Sequence, residues 1–257
     1  MSVRPKKALG QHFLVDENIL GVIGRLAELR ADDVVLEVGP GLGVLTRYLA
    51  DRVAHVHAIE LDRSLEEPLR DVLAGRENVD LVFGDSLQLD LAALHPGPSK
   101  LVANLPYNVA TPIVAESLDG LTSLERWCVM VQREVADRFF AEPRTKAYGA
   151  VSVLLQLRTR KVGFHPVPPT VFRPRPRVDS ALVAFVRTSD EPLVALRPVV
   201  EGAFSHRRKT LANSLALSGV TSRDEAEVAL ARISKPANAR AEELAPTDFV
   251  ALAAALA

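Results

Sequence analysis

One cysteine, Cys128, is the only thiol in this 257-residue chain. A lone thiol excludes an internal disulfide framework and any zinc cluster built on cysteines, and its setting in WCVMV predicts a small buried strand residue. No apolar run approaches a membrane span. The opening MSVRPKKALGQHFLVDENIL also lacks the continuous apolar segment of a signal peptide, so a cytoplasmic chain is expected. Internal repeats and low-complexity tracts are missing too. Net charge is close to nil, at −1 with 25% charged and 48% hydrophobic residues, the balance of an ordinary folded protein and not of a disordered one. At this length one large domain, or a large and a small one, is expected.

The small net charge conceals an asymmetry. Residues 1–12 hold three basic and no acidic residues; 13–140 hold 11 basic and 21 acidic; 141–212 hold 13 basic and 5 acidic. A basic band on an otherwise acidic chain is the footprint of a polyanionic partner such as nucleic acid, though a solvated basic face would have the same composition.

The dinucleotide fingerprint GxGxxG is another absence. In its place stands VVLEVGPGLGVLTRY, residues 34–48: a β-branched run, Glu37, then Gly39, Gly41 and Gly43 at alternate positions, then apolar residues at helical spacing. This is a strand, a tight turn and a helix. Glycines there permit positive φ and let a ligand approach the backbone. The form E-x-G-x-G-x-G resembles the first motif of the class I methyltransferases, whose cofactor S-adenosylmethionine carries a sulfonium and no phosphate. Acidic Glu37 suits such a cationic guest. A glycine turn that only packs a helix on a sheet would use the same residues.

Asp16 is placed to cap a helix through Ile19, Leu20, Ile23 and Leu26. After the glycine turn come a helix, a second strand ending in Glu60, a third ending at Gly84-Asp85, and a fourth ending in Asn104-Leu105-Pro106-Tyr107. A carboxylate at the tip of the second strand can accept both hydroxyls of a ribose, which assigns that role to Glu60, and Asp85 can accept from an adenine amine. Three further strands follow: one in RWCVMVQREVADRF, one after a helix within GAVSVLLQLRTRKVGFHPV, and one in SALVAFVR. Alternating strands and helices predict an α/β fold, a mostly parallel seven-stranded sheet with helices on both faces and ligands bound at the carboxyl edge. The resemblance of the glycine turn implies that it is of Rossmann-like class I methyltransferase type. TSDEP suggests a linker, giving a methyltransferase domain over 1–187 and a small α-helical domain over 188–257. Its helices are expected at Leu193–Phe204, Arg207–Leu217, Arg223–Ile233 and Thr247–Ala255.

Asn104 to Tyr107 carry a chemical argument. The amine on an adenine is a poor nucleophile because its lone pair is delocalised into the ring. Holding both amine hydrogens with acceptors points that pair at an electrophile. The Asn104 side-chain oxygen and the Leu105 carbonyl can do this, with Pro106 fixing the turn and Tyr107 stacking on the base. No strong base is required, because the proton can leave to solvent. A β-turn after a strand uses the same residue types.

Together these features resemble the amino-adenine and amino-cytosine methyltransferases and, more closely, the KsgA/RsmA family of ribosomal RNA adenine dimethyltransferases. The blocks KKALGQHFL, LEVGPGLGVLT, AIELD, GDSLQLD, VANLPYNVATPI, MVQREVADRF, VPPTVFRPRPRVDSAL and FSHRRKTLANSL carry the resemblance over nearly the full length. It implies that His12, Leu14, Gly39, Gly41, Glu60, Asp85 and Asn104 contact S-adenosylmethionine, and that Asn104, Tyr107 and Phe172 hold the target adenine, the two rings as a clamp. No metal ion is assigned a role. Many family members have Asn where this chain has His12. The implied substrate is a pair of adjacent adenines in the loop of the helix near the 3′ end of small-subunit ribosomal RNA, within an immature subunit, each dimethylated at N6. A loop base is more easily splayed into a pocket than a paired one.

Arg173, Arg175, Arg177, Arg207, Arg208 and Lys209 are candidates for phosphate contacts, with Arg4, Lys6 and Lys7 as further ones. No exposed apolar seam is evident, so a monomer is expected. A large-subunit adenine methyltransferase of the macrolide-resistance type would share the fold and a similar motif; the proline loop and FSHRRKTLANSL argue against it. A dehydrogenase would want GxGxxG and has no use for NLPY. A non-catalytic assembly factor could use the same scaffold.

Overall fold

The computed structural model describes Lys6 and residues 9–257, so Arg4 and Lys7 lie outside the described residues. The chain forms two compact units, one of Met1–Ala136 with Lys161–Arg187 and one of Asp137–Arg160 with Thr188–Ala257.

The first unit opens with a short strand, β1 (Phe13–Leu14), and a helix, α1 (Glu17–Ala27). Asp16 caps α1 by accepting from the Asn18 N–H at 2.9 Å, and Ile19, Leu20, Ile23 and Ala27 form its buried face. Then follow β2 (Val34–Val38), α2 (Val44–Ala50), β3 (His55–Glu60), α3 (Glu66–Val72), β4 (Val79–Phe83), β5 (Lys100–Asn104), α4 (Ala110–Gly120), β6 (Arg126–Gln132) and α5 (Arg133–Phe139). Beyond α6 (Ala150–Arg158), which belongs to the second unit, come β7 (Thr159–Val167), β8 (Phe172–Arg173) and β9 (Ser180–Arg187).

Seven strands form one sheet in the order β4-β3-β2-β5-β6-β9-β7. The first five are parallel, and β9 runs antiparallel to β6. Parallel strands covered on both faces must be apolar along their length. That is why Val35, Leu36, Val56, Ala58, Leu101, Val102 and the run Trp127–Val131 are all buried. Cys128 lies in that run, where burial pushes its thiol up to about 12. Trp127 is fully buried, donates its indole N–H to Ser117 Oγ at 2.8 Å and stacks on Phe185 with centroids 5.2 Å apart. A second, two-stranded pairing joins β1 to β8, with Phe13 opposite Arg173 and Leu14 opposite Phe172.

The second unit contains α6, α7 (Arg197–Ser205), α8 (Leu211–Leu217), α9 (Arg223–Arg232) and α10 (Pro246–Leu256). Helix α6 packs on α7 and α10, which draws Asp137–Arg160 into this unit, whereas the sequence places them before a single break at 187/188. Two helices also begin later than the sequence predicts. The one expected from Leu193 starts at Arg197. The one expected from Arg207 starts at Leu211, because Thr210 is its cap and accepts from the Asn213 N–H at 3.4 Å. Arg207, Arg208 and Lys209 therefore lie in the turn before α8. No described helix is long and apolar enough to cross a membrane.

Candidate active site

The strand order reverses between β2 and β5, and open parallel sheets bind ligands in the crevice at the carboxyl ends of such strands. A pocket lies there. It is lined by residues 9–14, by the β2–α2 turn, by the ends of β3 and β4, and by Asn104–Val109. The turn after β2 needs its glycines for two reasons. Gly39 and Gly41 have φ of +77° and +60°, and a Cβ on Gly41 would stand 2.9 Å from the Phe13 ring. A Cβ on Gly39 would meet the Pro106 ring at 3.3 Å. Without those side chains the Phe13 and Pro106 rings pack directly on the turn, and the backbone of the turn itself lines the pocket.

Three carboxylates, Glu37, Glu60 and Asp85, line the pocket, and among the described residues no lysine or arginine does. Such a wall repels a phosphate and suits a cation. Glu60 ends β3 and is held at both oxygens: Oε2 accepts from the Gly41 N–H at 3.1 Å and Oε1 from the Asp62 N–H at 2.8 Å. Each oxygen keeps a second lone pair for a ligand hydroxyl. Burial raises the Glu60 carboxyl above its ordinary range, while these two N–H groups and that of Leu61 oppose the rise. Glu37 is fully buried, and desolvation, helped by the charge of Glu60, raises it to about 8. Its Oε2 has no hydrogen-bond partner among the described residues. Asp85 is exposed at the rim, its Oδ1 accepting from the Leu87 N–H at 3.0 Å. An orphaned buried acceptor, a glycine turn and an acidic wall fit the ribose, amine and sulfonium of S-adenosylmethionine.

The opposite wall is made by Asn104–Tyr107. The Leu105 N–H donates to the Met130 carbonyl at 3.0 Å, carrying the β5–β6 ladder one residue past the strand and fixing where the chain turns. Asn104 donates from Nδ2 to the His12 carbonyl at 3.1 Å, which leaves its Oδ1 as an acceptor in the pocket. Tyr107 Oη lies 2.5 Å from Ser180 Oγ, and burial raises its phenol. The ring beside Tyr107 is His12, stacked with centroids 5.3 Å apart and held by Nδ1 at 2.7 Å from the Pro174 carbonyl.

His12, Leu14, Gly39, Gly41, Glu60, Asp85, Asn104, Leu105, Pro106 and Tyr107 all line this one pocket, and Phe172 does not. The expected two-sided clamp of Phe172 and Tyr107 is thus not formed. Alternation along β8 turns Phe172 inward, 2% exposed and packed in the core with Leu14, Val102 and Met130, and turns Arg173 out to solvent. Arg175, Arg177, Arg208 and Lys209 are exposed as well, and Arg207 lies 3.5 Å from Glu242. Lys6 is not a free cation: its Nζ pairs with Asp62 at 2.6 Å, and Gln11 Nε2 donates to the other oxygen of that carboxylate at 2.9 Å. Asp62 is held well below the usual carboxylate range because the hydrogen bonds from Lys6, Ser64 and Gln11 outweigh its burial. The sequence offered no sign of this clasp, which lashes the segment before β1 to the residue two beyond Glu60.

The sheet order and the acidic pocket beside the glycine turn define a class I, S-adenosylmethionine-dependent methyltransferase. The model of a family described as ribosomal RNA adenine dimethylase matches residues 3–256, and the chain belongs to that family. Similar proteins include two named ribosomal RNA small subunit methyltransferase A. One, from Rubrobacter xylanophilus, is 48% identical over 97% of this chain and 94% of its own length. The other, from Geobacter metallireducens, is 42% identical over 99% and 96%. Among solved structures, a dimethyladenosine transferase from Plasmodium falciparum matches with TM-score 0.77 at 22% identity, covering 94% of this chain and 96% of that one, and shares the fold. The 23S rRNA methyltransferase ErmE matches with TM-score 0.65 at 31% identity, covering 95% and 99%. The chain is an rRNA adenine dimethyltransferase.

Proposed function

We propose that this enzyme dimethylates the N6 amines of two adjacent adenines in the loop of the 3′-terminal helix of small-subunit ribosomal RNA, acting in the cytoplasm as a monomer on an immature small subunit. Support for the small-subunit substrate comes from relatives of that name at 48% and 42% identity, against 31% for the 23S enzyme.

The observation that carries the chemistry is the anchoring of Asn104. Its Nδ2 is occupied by the His12 carbonyl, so Oδ1 has a fixed direction and can accept one amine hydrogen. The Leu105 carbonyl accepts the other. With both hydrogens held, the nitrogen lone pair is directed out of conjugation, an orienting effect that costs nothing further at the moment of reaction. Tyr107 stacks on the base, and its bond to Ser180 fixes the ring. S-adenosylmethionine supplies a methyl group on a sulfonium, which departs as a neutral thioether. The amine gains one carbon and loses one proton to solvent, so Asn104 need not act as a base. One hydrogen remains on the nitrogen for a second round.

Glu60 and Asp85 hold the ribose and adenine of the cofactor, and Glu37 faces its cationic part. Arg173, Arg175, Arg207, Arg208 and Lys209 contact RNA phosphates. The test is labelled methyl transfer to small subunits and, separately, to large-subunit RNA, each lacking the modification. Label in the small-subunit RNA alone is expected; label in large-subunit RNA alone would reverse the assignment.

A further inference from the structure

A separate group of side chains lies on β3 and β4, away from the pocket. His55 and His57 are two residues apart on β3, so they share one face of the sheet, and the β3–β4 pairing sets His57 opposite Asp80. His55 Nε2 lies 2.9 Å from Asp80 Oδ2, and His57 Nδ1 lies 3.5 Å from the same oxygen. One ligating atom from each residue falls within 4.8 Å of the other two, and the two imidazoles meet edge to face with centroids 4.5 Å apart.

The two nitrogens of His57 are in opposite situations. Nε2 lies 2.8 Å from the Pro96 carbonyl oxygen, which can only accept, so the ring hydrogen sits on Nε2. Nδ1 is then a bare lone pair. It is buried in a residue only 1% exposed and has no hydrogen-bond partner among the described residues. It faces a half-exposed carboxylate oxygen that is also hydrogen-bonded to His55 Nε2, and two acceptors turned toward each other repel unless a proton or a cation lies between them. Metal-ligating histidines commonly donate their second N–H to a backbone carbonyl, as His57 does to Pro96. The two His–Asp separations lie near the roughly 3.3 Å between ligand atoms of a tetrahedral ion with bonds of about 2.0–2.1 Å, and the full set, within 4.8 Å, would draw in around the ion.

We propose that His55, His57 and Asp80 form a binding site for a divalent transition-metal ion, Zn²⁺ by the chemistry of its ligands, with a fourth position open to water. Two neutral imidazoles and one carboxylate suit zinc better than the all-oxygen shells of calcium or magnesium. The half-exposed Asp80 side chain provides the way in. His55 begins β3 and Glu60 ends it, so the ion binds at the far end of that strand from the cofactor and takes no part in methyl transfer. Its effect is to tie β3 to β4.

The test titrates chelator-treated full-length protein with Zn²⁺ by calorimetry and follows thermal unfolding with and without the ion. The unmodified protein is expected to bind one equivalent and to unfold at a higher temperature with zinc. Asp80→Ala, at a half-exposed position, and His55→Gln, at a partly buried one, should each weaken binding about tenfold or more and remove the zinc-dependent shift. Both should keep normal methyl transfer without zinc, which shows that they are folded. Co²⁺ should give tetrahedral visible absorption in the unmodified protein only. Failure of that protein to bind zinc overturns the site, as does undiminished binding by both variants.

Discussion

On one side of the pocket, Glu37, the glycine turn, Glu60 and Asp85 come from a single run of chain through β2, β3 and β4, and the partners of Glu60 and Asp85 are backbone N–H groups no more than 19 positions away. On the other side, Asn104 reaches His12 across 92 positions, His12 reaches Pro174 across 162, and Tyr107 reaches Ser180 across 73. The cofactor wall is therefore set as soon as the parallel strands pair. The adenine wall depends on three long-range hydrogen bonds of roughly 1 kcal/mol each. On the proposed function, the methyl donor is held by local geometry and the acceptor by tertiary assembly, so changes on the two walls should have different signatures.

The largest separation between them is expected from Asn104→Ala, which removes the acceptor for the amine and the bond to His12. Turnover should fall about 10²–10³-fold, far more than the affinity for cofactor, measured as kcat beside calorimetric binding of S-adenosylmethionine. A near-normal kcat would dissolve the distinction. Glu37→Gln acts on the cofactor wall alone. The Glu37 carboxyl rises from 4.5 to about 8 on burial, so between those values the folded protein keeps a proton that the unfolded chain has released. Stability without cofactor is thus full below pH 4.5 and declines toward pH 8. The neutral variant should lack this decline and be more stable by about 3 kcal/mol at pH 7, while binding the cationic cofactor more weakly. Urea denaturation at pH 5 and pH 7.5 measures this, and equal slopes in the two proteins would count against it.

A smaller effect is expected at His12→Ala, which deletes the ring on Tyr107 and the bond to Pro174 but leaves the backbone carbonyl that anchors Asn104. A loss of about tenfold in kcat/KM for RNA corresponds to one such bond and a stack. A fall in cofactor affinity alone would instead give His12 the cofactor contact that the family resemblance implies. Smallest is the joint neutralisation of Arg173 and Arg175. The salt dependence of RNA binding should flatten by about one unit of slope for each phosphate no longer neutralised, with methyl transfer at saturating RNA unchanged. An unaltered slope would take both arginines off the RNA path.

The same contrast explains which parts of the molecule could be read from its sequence. The GxGxG turn and the acidic strand tips are local patterns, and the strands of the sheet are legible as short apolar runs between helical stretches. Phe172 was misplaced because its direction is fixed by the register of β8 against β1, two segments whose pairing has no linear signature. The His12 stack, the Lys6–Asp62 clasp and the capture of α6 by the C-terminal helices are likewise products of packing. Asp80 joins the two histidines only through the β3–β4 register, so an H-x-H pair on a strand was not by itself a signal.

Trp127 is the chain's single indole, and it sits in the middle strands of the first unit with its N–H capped by Ser117. Its fluorescence in the folded protein should lie at the short-wavelength end and shift red only when that sheet opens. It should be indifferent to what enters the pocket, whose lining excludes it. The second unit has no tryptophan and is silent in this channel, whereas far-ultraviolet circular dichroism sees the helices of both. Recording the two signals through one thermal scan would show whether the two units melt together or in turn, without adding a label to the chain.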